Sequence, residues 1–215
     1  MRIVLTRPRG RGEAWREQLA AAGHTVALVP LTEIRDGEPF PDPSGYDAVL
    51  FTSVAAVERA PEGARWSQVG AVGPATAAAL EERGIGVDAV GTGGGAELAS
   101  AWTRFAGNLM GHRILLPQAR RAHATLEVAL RGMGAEVDCA AVYETLPAPR
   151  VDRGALEDAE VIAFFAPSAV RIYRELHVKT GARFWGIGNT TREELANTGL
   201  THSDVADLDS LAIHD

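Results

Sequence analysis

Short apolar runs alternate with longer stretches of mixed polarity along this chain. Residues 2–5 (RIVL) are apolar after the first arginine, and residues 26–31 (VALVPL) are apolar throughout. Residues 14–22 between them have a helical pattern that ends before Gly23. Apolar runs rich in valine, isoleucine and leucine, separated by helical patterns that stop at glycine, are typical of βαβ units around a parallel sheet. The pattern therefore predicts an α/β protein.

The second half of the chain repeats the pattern of the first. Residues 113–215 carry the same order of segments as residues 1–105, and the first block aligns without a gap, pairing Leu19 with Leu130, Gly23 with Gly134, Val26 with Val137 and Glu33 with Glu144. Further on, residues 47–51 (DAVLF) match 160–164 (EVIAF), and 72–76 (VGPAT) match 187–191 (IGNTT). We expect two similar doubly wound, flavodoxin-like parallel sheets, which bind ligands at the carboxyl ends of their strands.

The proline-rich stretches do not lie at the midpoint of the duplication. Residues 36–45 and 145–150 each follow the second strand of their own half. If the chain crosses between domains at these stretches, residues 1–33 and 152–215 form one discontinuous domain, 46–140 form the other, and 34–45 and 141–151 are interdomain linkers. A simple tandem arrangement stays open, because loop composition is only a correlate of domain boundaries.

Composition excludes several classes of protein. The chain of 215 residues is 46% apolar with no run long enough to cross a bilayer, so we expect a cytoplasmic protein that does not contact membranes. Cys139 is the only cysteine, which excludes an internal disulfide. The net charge of −7 argues against nucleic-acid binding. Arg7, Arg9 and Arg11 nevertheless cluster after the first strand, either as a solvated surface or to capture a small anion.

The familiar motifs of cofactor and nucleophile sites are missing or incomplete. Gly10 and Gly12 begin a dinucleotide fingerprint, but Trp15 stands where its third glycine is needed, which disfavours a nucleotide-binding flavodoxin-like protein without removing that alternative. The histidines have no metal-binding spacing, and the chain lacks the Gly-x-Ser-x-Gly motif of serine hydrolases. No metal is therefore expected.

Hydroxyl side chains recur where strands are expected to pass into helices, and these residues are Thr6, Thr52, Ser53, Thr76, Ser168, Thr190 and Thr191. They could simply cap helices, or they could help the free backbone N–H groups of those turns to bind carboxylates or phosphates. Tyr143 ends the second strand of the second half, where its repeat partner is Thr32. It is either a core or hinge residue or a phenol that donates a proton to a leaving group.

Six segments together resemble the uroporphyrinogen-III synthase family. They are residues 4–8 (VLTRP), 50–53 (LFTS), 71–76 (AVGPAT), 142–143 (VY), 165–170 (FAPSAV) and 186–191 (GIGNTT). The resemblance spans nearly the whole chain in the family's order. It implies two α/β domains joined by a two-stranded connector, with the linear tetrapyrrole hydroxymethylbilane bound in the cleft between them.

The resemblance also implies the reaction. The family removes the terminal hydroxyl of hydroxymethylbilane as water, and the resulting azafulvene cation is attacked by the substituted carbon of the far ring. A spiro intermediate then fragments and recloses with that ring inverted, giving uroporphyrinogen III for tetrapyrrole biosynthesis. No metal or organic cofactor is required, and the expected protein is a monomer whose one candidate partner is hydroxymethylbilane synthase, bound transiently.

Individual residues carry the family's roles into this sequence. Tyr143 matches the tyrosine proposed to assist departure of the hydroxyl, and the candidate substrate-binding residues are Thr6, Arg7, Ser53, Thr76, Ser168, Ala169, Asn189, Thr190 and Thr191. Two positions depart from the family pattern: Ala166 stands where serine is usual, and Asn189 where proline is usual. Because of these departures, an alternative function stays open, in which the chain is a non-catalytic two-domain module that binds another anionic ligand.

Overall fold

The chain forms two α/β units, each built around its own sheet, and the computed structural model describes residues 1–200 apart from the side chain of Asn189. In order, the strands and helices are β1 Arg2–Leu5, α1 Glu13–Ala21, β2 Thr25–Leu28, β3 Thr32–Asp36, β4 Ala48–Phe51, α2 Val54–Val57, β5 Val69–Ala71, α3 Pro74–Glu82, β6 Ala89–Val90, α4 Gly95–Ala106, β7 Arg113–Ala119, α5 Thr125–Gly132, β8 Glu136–Pro147, α6 Arg153–Glu157, β9 Val161–Phe164, α7 Pro167–Leu176, β10 Arg183–Gly186 and α8 Asn189–Asn197. None of these helices is long and apolar enough to cross a membrane.

The first unit combines residues 1–33 with residues 146–200 of the described chain. Its strand order is β10-β9-β1-β2, and every pair is parallel. Side chains alternate across β1, so that Ile3 and Leu5 pack on one face of the sheet and Val4 packs on the other. Both faces are buried, as expected of a parallel sheet covered by helices.

The second unit comprises residues 34–145. Its strand order is β3-β8-β7-β4-β5-β6, and the central pairs from β8 to β6 are parallel. Val49 and Phe51 of β4 lie in one buried cluster, whereas Ala48 and Leu50 lie in the other, on the opposite face. This sheet is therefore also buried on both faces.

The two units share one internal plan, which confirms the predicted fold class. The order β10-β9-β1-β2 in the first unit corresponds to β5-β4-β7-β8 in the second. Ile3 pairs with Val26, and Ile114 pairs with Val137, so the aligned valines occupy the same place in their sheets. Gly23 and Gly134 have φ angles of 85° and 89°, a left-handed conformation that favours glycine after a helix.

The chain passes between the units at two points, within β3 and within β8. The observed bounds differ from the predicted ones at the segments that we expected to be linkers. Residues 34–45 belong to the second unit, because Ile34 and Phe40 pack against its core. Residues 141–145 lie in the continuous strand β8, where the Val142 carbonyl accepts a 3.0 Å hydrogen bond from the Gly37 N–H. The last part of the predicted domain 152–215, residues 201–215, lies outside the described residues.

Candidate active-site residues

Tyr143 lies on β8 beside an irregularity of the sheet. Gln118 of β7 pairs with Ala141, but the next residue, Ala119, pairs with Tyr143, so Val142 is an extra residue in β8. An extra residue turns the following side chain onto the face occupied by its neighbour. Val142 and Tyr143 consequently lie in the same buried cluster instead of on opposite faces, and Tyr143 is 9% exposed.

The phenol of Tyr143 contacts the turn that follows β4. Its hydroxyl donates a hydrogen bond of 3.0 Å to Oγ of Ser53. Ser53 is the N-cap residue of α2, and its Oγ also accepts a hydrogen bond of 3.2 Å from the Ala56 N–H. With both acceptor positions of Oγ used, the remaining hydrogen-bonding capacity of Ser53 is its own O–H donor.

Arg59 is a neighbour of Tyr143 that the sequence analysis missed. Its guanidinium carbon lies 5.5 Å from the centroid of the Tyr143 ring. The guanidinium donates a 2.8 Å hydrogen bond to the Ala55 carbonyl and forms a 2.8 Å ion pair with Asp36. The sequence shows that Arg59 follows Ala55 by about one helical turn. The approach to Tyr143 was not, because it depends on how β8 lies beside β7.

Thr76 and Thr191 occupy equivalent places in the two units. Each is the third residue of a helix that follows a sheet strand, α3 in one unit and α8 in the other. Both side chains are buried, at 4% and 1% exposure, whereas Thr190 is exposed. The side chain of Asn189, also predicted to bind substrate, lies outside the described part of the chain.

Thr6 and Arg7 follow β1 in the first unit. Thr6 is buried, and its Oγ1 donates a hydrogen bond of 2.9 Å to the Ala163 carbonyl of β9. Arg7 is partly buried, with its guanidinium carbon 4.7 Å from the centroid of the Phe165 ring. The rings of Trp15 and Phe165 pack in a T-shaped arrangement with their centroids 5.2 Å apart. Phe165 therefore supports Arg7 at the end of the sheet.

The turn before α7 lacks the hydroxyl cap that α2 has. Ala166 is the N-cap residue of α7, and its backbone has nearly the same φ and ψ, −155° and 146°, as Ser53, −165° and 151°. Ser168 is partly buried in the first turn of α7. Ala169 is buried, and its N–H donates to the Ala166 carbonyl at 3.1 Å.

The topology places these residues at one edge of each sheet. Thr6, Ser168 and Thr191 follow β1, β9 and β10, whose parallel pairing brings their carboxyl ends together. In the second unit, Ser53 and Thr76 follow β4 and β5, which are also parallel, and Tyr143 pairs with the last residue of β7. Helix N-termini at these edges carry partial positive charge and favour anionic groups. No group of three metal-ligating side chains occurs within residues 1–200.

Comparison with known families gives one assignment over most of the chain. The family model described as "Uroporphyrinogen-III synthase HemD" matches residues 13–212. A relative from Methanothermobacter thermautotrophicus, provisionally named uroporphyrinogen-III synthase, is 28% identical, with the match covering 93% of this chain and 90% of the relative.

Solved structures share the fold of the chain. Uroporphyrinogen-III synthetase from Helicobacter pylori has a TM-score of 0.65 at 21% identity, covering 95% of this chain and 92% of the other. A mutant uroporphyrinogen III synthase from Thermus thermophilus has a TM-score of 0.61 at 21% identity, covering 95% and 91%. At this level of identity, the likeness establishes the two-unit α/β fold alone.

Proposed function

The chain belongs to the uroporphyrinogen-III synthase family, and we propose that it cyclises hydroxymethylbilane to uroporphyrinogen III with loss of water and inversion of the terminal ring. In enzyme terms it is a cyclising carbon-oxygen lyase of tetrapyrrole biosynthesis. The observation that carries this proposal is the phenol of Tyr143, held 3.0 Å from Ser53 on the second unit's sheet.

Tyr143 acts as the general acid of the first step. Its hydroxyl donates a proton to the terminal hydroxyl of hydroxymethylbilane, the carbon-oxygen bond breaks, and water leaves with that proton. The azafulvene cation that remains is attacked by the substituted carbon of the terminal ring. The spiro intermediate fragments and recloses with that ring inverted. The ring carbon that forms the new bond then loses its proton, which returns the Tyr143 phenolate to the phenol, so the net change is the loss of one water molecule. A positioned acid of this kind typically contributes about 10²–10⁴-fold in rate.

The same contacts explain how the phenol is held for this step. The Ser53 hydroxyl is fixed by the Ala56 N–H, so it offers Tyr143 an acceptor in one defined position. When substrate is bound, the Tyr143 O–H turns away from Ser53 Oγ and donates its proton to the leaving hydroxyl. Holding the reacting groups in this geometry favours inversion over the unassisted closure that gives the type I isomer.

The carboxylates of the substrate are bound at the carboxyl edges of the sheets. The proposed contacts are the hydroxyls of Ser53, Thr76, Ser168, Thr190 and Thr191, the guanidinium of Arg7, and backbone N–H groups near Ala169 and Asn189. The helix N-termini there supply favourable dipoles, worth about 0.3–1 kcal/mol each. Thr6 contributes mainly by fixing the turn, since its hydroxyl already donates to the Ala163 carbonyl.

We propose that Ser168 replaces the hydroxyl that is missing at Ala166. Both residues belong to the turn that starts α7, and Ser168 is only partly buried. We also propose that the chain works in the cytoplasm as a monomer, without metal or organic cofactor, and meets hydroxymethylbilane synthase only transiently. A single chain already contains both copies of the repeated unit, which supports the monomer.

Isomer analysis tests the proposal. Hydroxymethylbilane would be generated in the presence of the purified protein, the products oxidised, and the type I and type III porphyrins resolved by chromatography. Reactions without protein and with heat-denatured protein give the background. We expect mainly type III product with the active protein, whereas type I product at the background ratio would overturn the assignment.

A binding module without catalysis is the second candidate. The loss of the hydroxyl cap at Ala166, in a turn otherwise shaped like that of Ser53, is the observation that favours it. Titration calorimetry with uroporphyrin, a stable octacarboxylate, distinguishes the two candidates. Binding without formation of type III product would favour the module, and formation of type III product would exclude it.

A further inference from the structure

Arg59 is much more buried than the carboxylates around it. Its side chain is 18% exposed, whereas those of Asp36 and Glu58 are 90% and 51% exposed. Ion pairs with exposed carboxylates stabilise a protein very little, because water screens them. The pair with Asp36 therefore does not account for a guanidinium held this far inside the second unit.

The burial of Arg59 also leaves part of its guanidinium without a partner. Nε is buried and has no hydrogen-bond partner within the described residues 1–200. A buried donor without an acceptor is unfavourable for folding. A further contact must therefore add to the hydrogen bond that Arg59 makes with the Ala55 carbonyl and to its ion pairs with Asp36 and Glu58.

The guanidinium also lies against the ring of Tyr143. The separation of 5.5 Å between the guanidinium carbon and the ring centroid lies within the range of a cation–π interaction. Tyr143 is thus held at two points, at its hydroxyl by Ser53 and at its ring by Arg59. The two contacts come from residues that flank α2, the N-cap Ser53 before it and Arg59 just after it, so they constrain the phenol together.

We infer that Arg59 is a positioning residue for Tyr143: its contact with the ring holds the phenol in the orientation from which it donates its proton. This inference rests on the proposed function, in which Tyr143 is the acid. Arg59 itself need not touch the substrate.

A double-mutant cycle measures whether Arg59 acts through Tyr143. We expect Arg59→Gln to lower kcat for type III product about tenfold, the size of a partly buried cation–π contact, with KM changed less than about twofold. Arg59→Lys, which retains the charge, should restore most of that loss. In the Tyr143→Phe background, Arg59→Gln should have almost no further effect on kcat, since the phenol hydroxyl that Arg59 orients is then absent.

Arg83→Gln is the matched control, because Arg83 also donates to a backbone carbonyl, that of Ala60 at 2.7 Å. We expect its kcat to stay near that of the unmodified protein. Equal losses from Arg59→Gln in the two backgrounds, or a loss no larger than that of Arg83→Gln, would overturn the inference. Arg59→Met, which removes the charge but keeps the length, is a second variant that must behave as Arg59→Gln does.

An NMR measurement separates this inference from the proposed function. The Cζ resonances of carbon-13-labelled tyrosine report the environment of each phenol, and Tyr143→Phe identifies the signal of Tyr143. We expect Arg59→Gln to shift this signal and to leave that of Tyr173, in the first unit, unchanged. An unshifted Tyr143 signal would contradict the inference even in an active enzyme, whereas absent type III activity with a shifted signal would contradict only the proposed function.

Discussion

The hydroxyl of Tyr143 donates to the hydroxyl of Ser53 at 3.0 Å, although the two residues are 90 positions apart in the chain. The extra residue Val142 in β8 turns the phenol onto the face where Ser53 lies. Ser53, in turn, is fixed because it caps α2. A helix cap and a sheet irregularity thus combine to hold one phenol in place.

Replacing Ser53 by alanine tests the double role of its hydroxyl. Ser53→Ala removes the acceptor for the Ala56 N–H and for Tyr143, and loss of an N-cap lowers the free energy of unfolding by about 1 kcal/mol. We expect urea denaturation to show a loss of this size. Under the proposed function, kcat should fall further than the loss of stability explains, whereas unchanged kcat would show that Tyr143 does not depend on Ser53.

The opposite substitution should stabilise the first unit. Ala166→Ser places a hydroxyl on a backbone that already has the N-cap conformation of Ser53, so it should add a hydrogen bond to the start of α7. We expect the free energy of unfolding to rise by about 0.5–2 kcal/mol. The same denaturation experiment measures it, and a loss of stability would show that this turn cannot accept a capping side chain.

A carboxylate just before β9, bonded to the first residue of β1, makes stability depend on pH. Glu160 accepts a 2.7 Å hydrogen bond from the Arg2 N–H, and this bond, aided by the charges of Arg2, the N-terminus and Arg183, lowers the pKa of the Glu160 carboxyl. Because the pKa is lower in the folded protein, the stabilisation is present above the unfolded pKa of about 4.3 and is lost as the pH falls through the folded pKa.

Glu160→Gln should therefore lower the free energy of unfolding at pH 7, and the difference from the unmodified protein should shrink as the pH is lowered below about 4. Denaturation curves between pH 3 and pH 7 measure this difference. Glu136→Gln, which alters an exposed carboxylate on β8, is a control for the change in net charge. A difference that stays constant with pH would contradict the account of Glu160.

The sequence predicts the fold class well because the repeat constrains it twice. The paired residues Val26 and Val137 occupy equivalent places in their sheets, and Leu19 and Leu130 are both fully buried. Apolar runs predict strands and glycines predict helix ends from the local sequence, and each of these signals occurs in both copies of the repeat. The substrate-binding roles of Thr76, Thr191 and the other turn residues stay predictions.

Other features depend on pairing between distant segments and were not visible in the sequence. The extra residue Val142 changes no local pattern, and proline-rich composition did not reveal that Phe40 would pack on the second unit's core. Arg59 was missed because its contact with Tyr143 forms only when β8 lies beside β7. The parts that could not be predicted are therefore those that orient the candidate acid.

Tyr173→Phe provides the control for a test of that acid. The Tyr173 hydroxyl is buried without a hydrogen-bond partner within residues 1–200, and its ring packs against Phe164 and Phe184. Removing a hydroxyl that makes no hydrogen bond should leave folding nearly unchanged. It therefore reports what loss of a phenol does away from the proposed site.

The most direct test measures the initial rate of type III uroporphyrinogen formation by the unmodified protein, Tyr143→Phe and Tyr173→Phe. We expect the unmodified protein and Tyr173→Phe to form mainly the type III isomer at similar rates. Tyr143→Phe should slow its formation by about 10²-fold or more, with the fold retained in circular dichroism. Type III product formed by Tyr143→Phe at the unmodified rate would contradict the role of the phenol, and type I product alone from the unmodified protein would contradict the whole account.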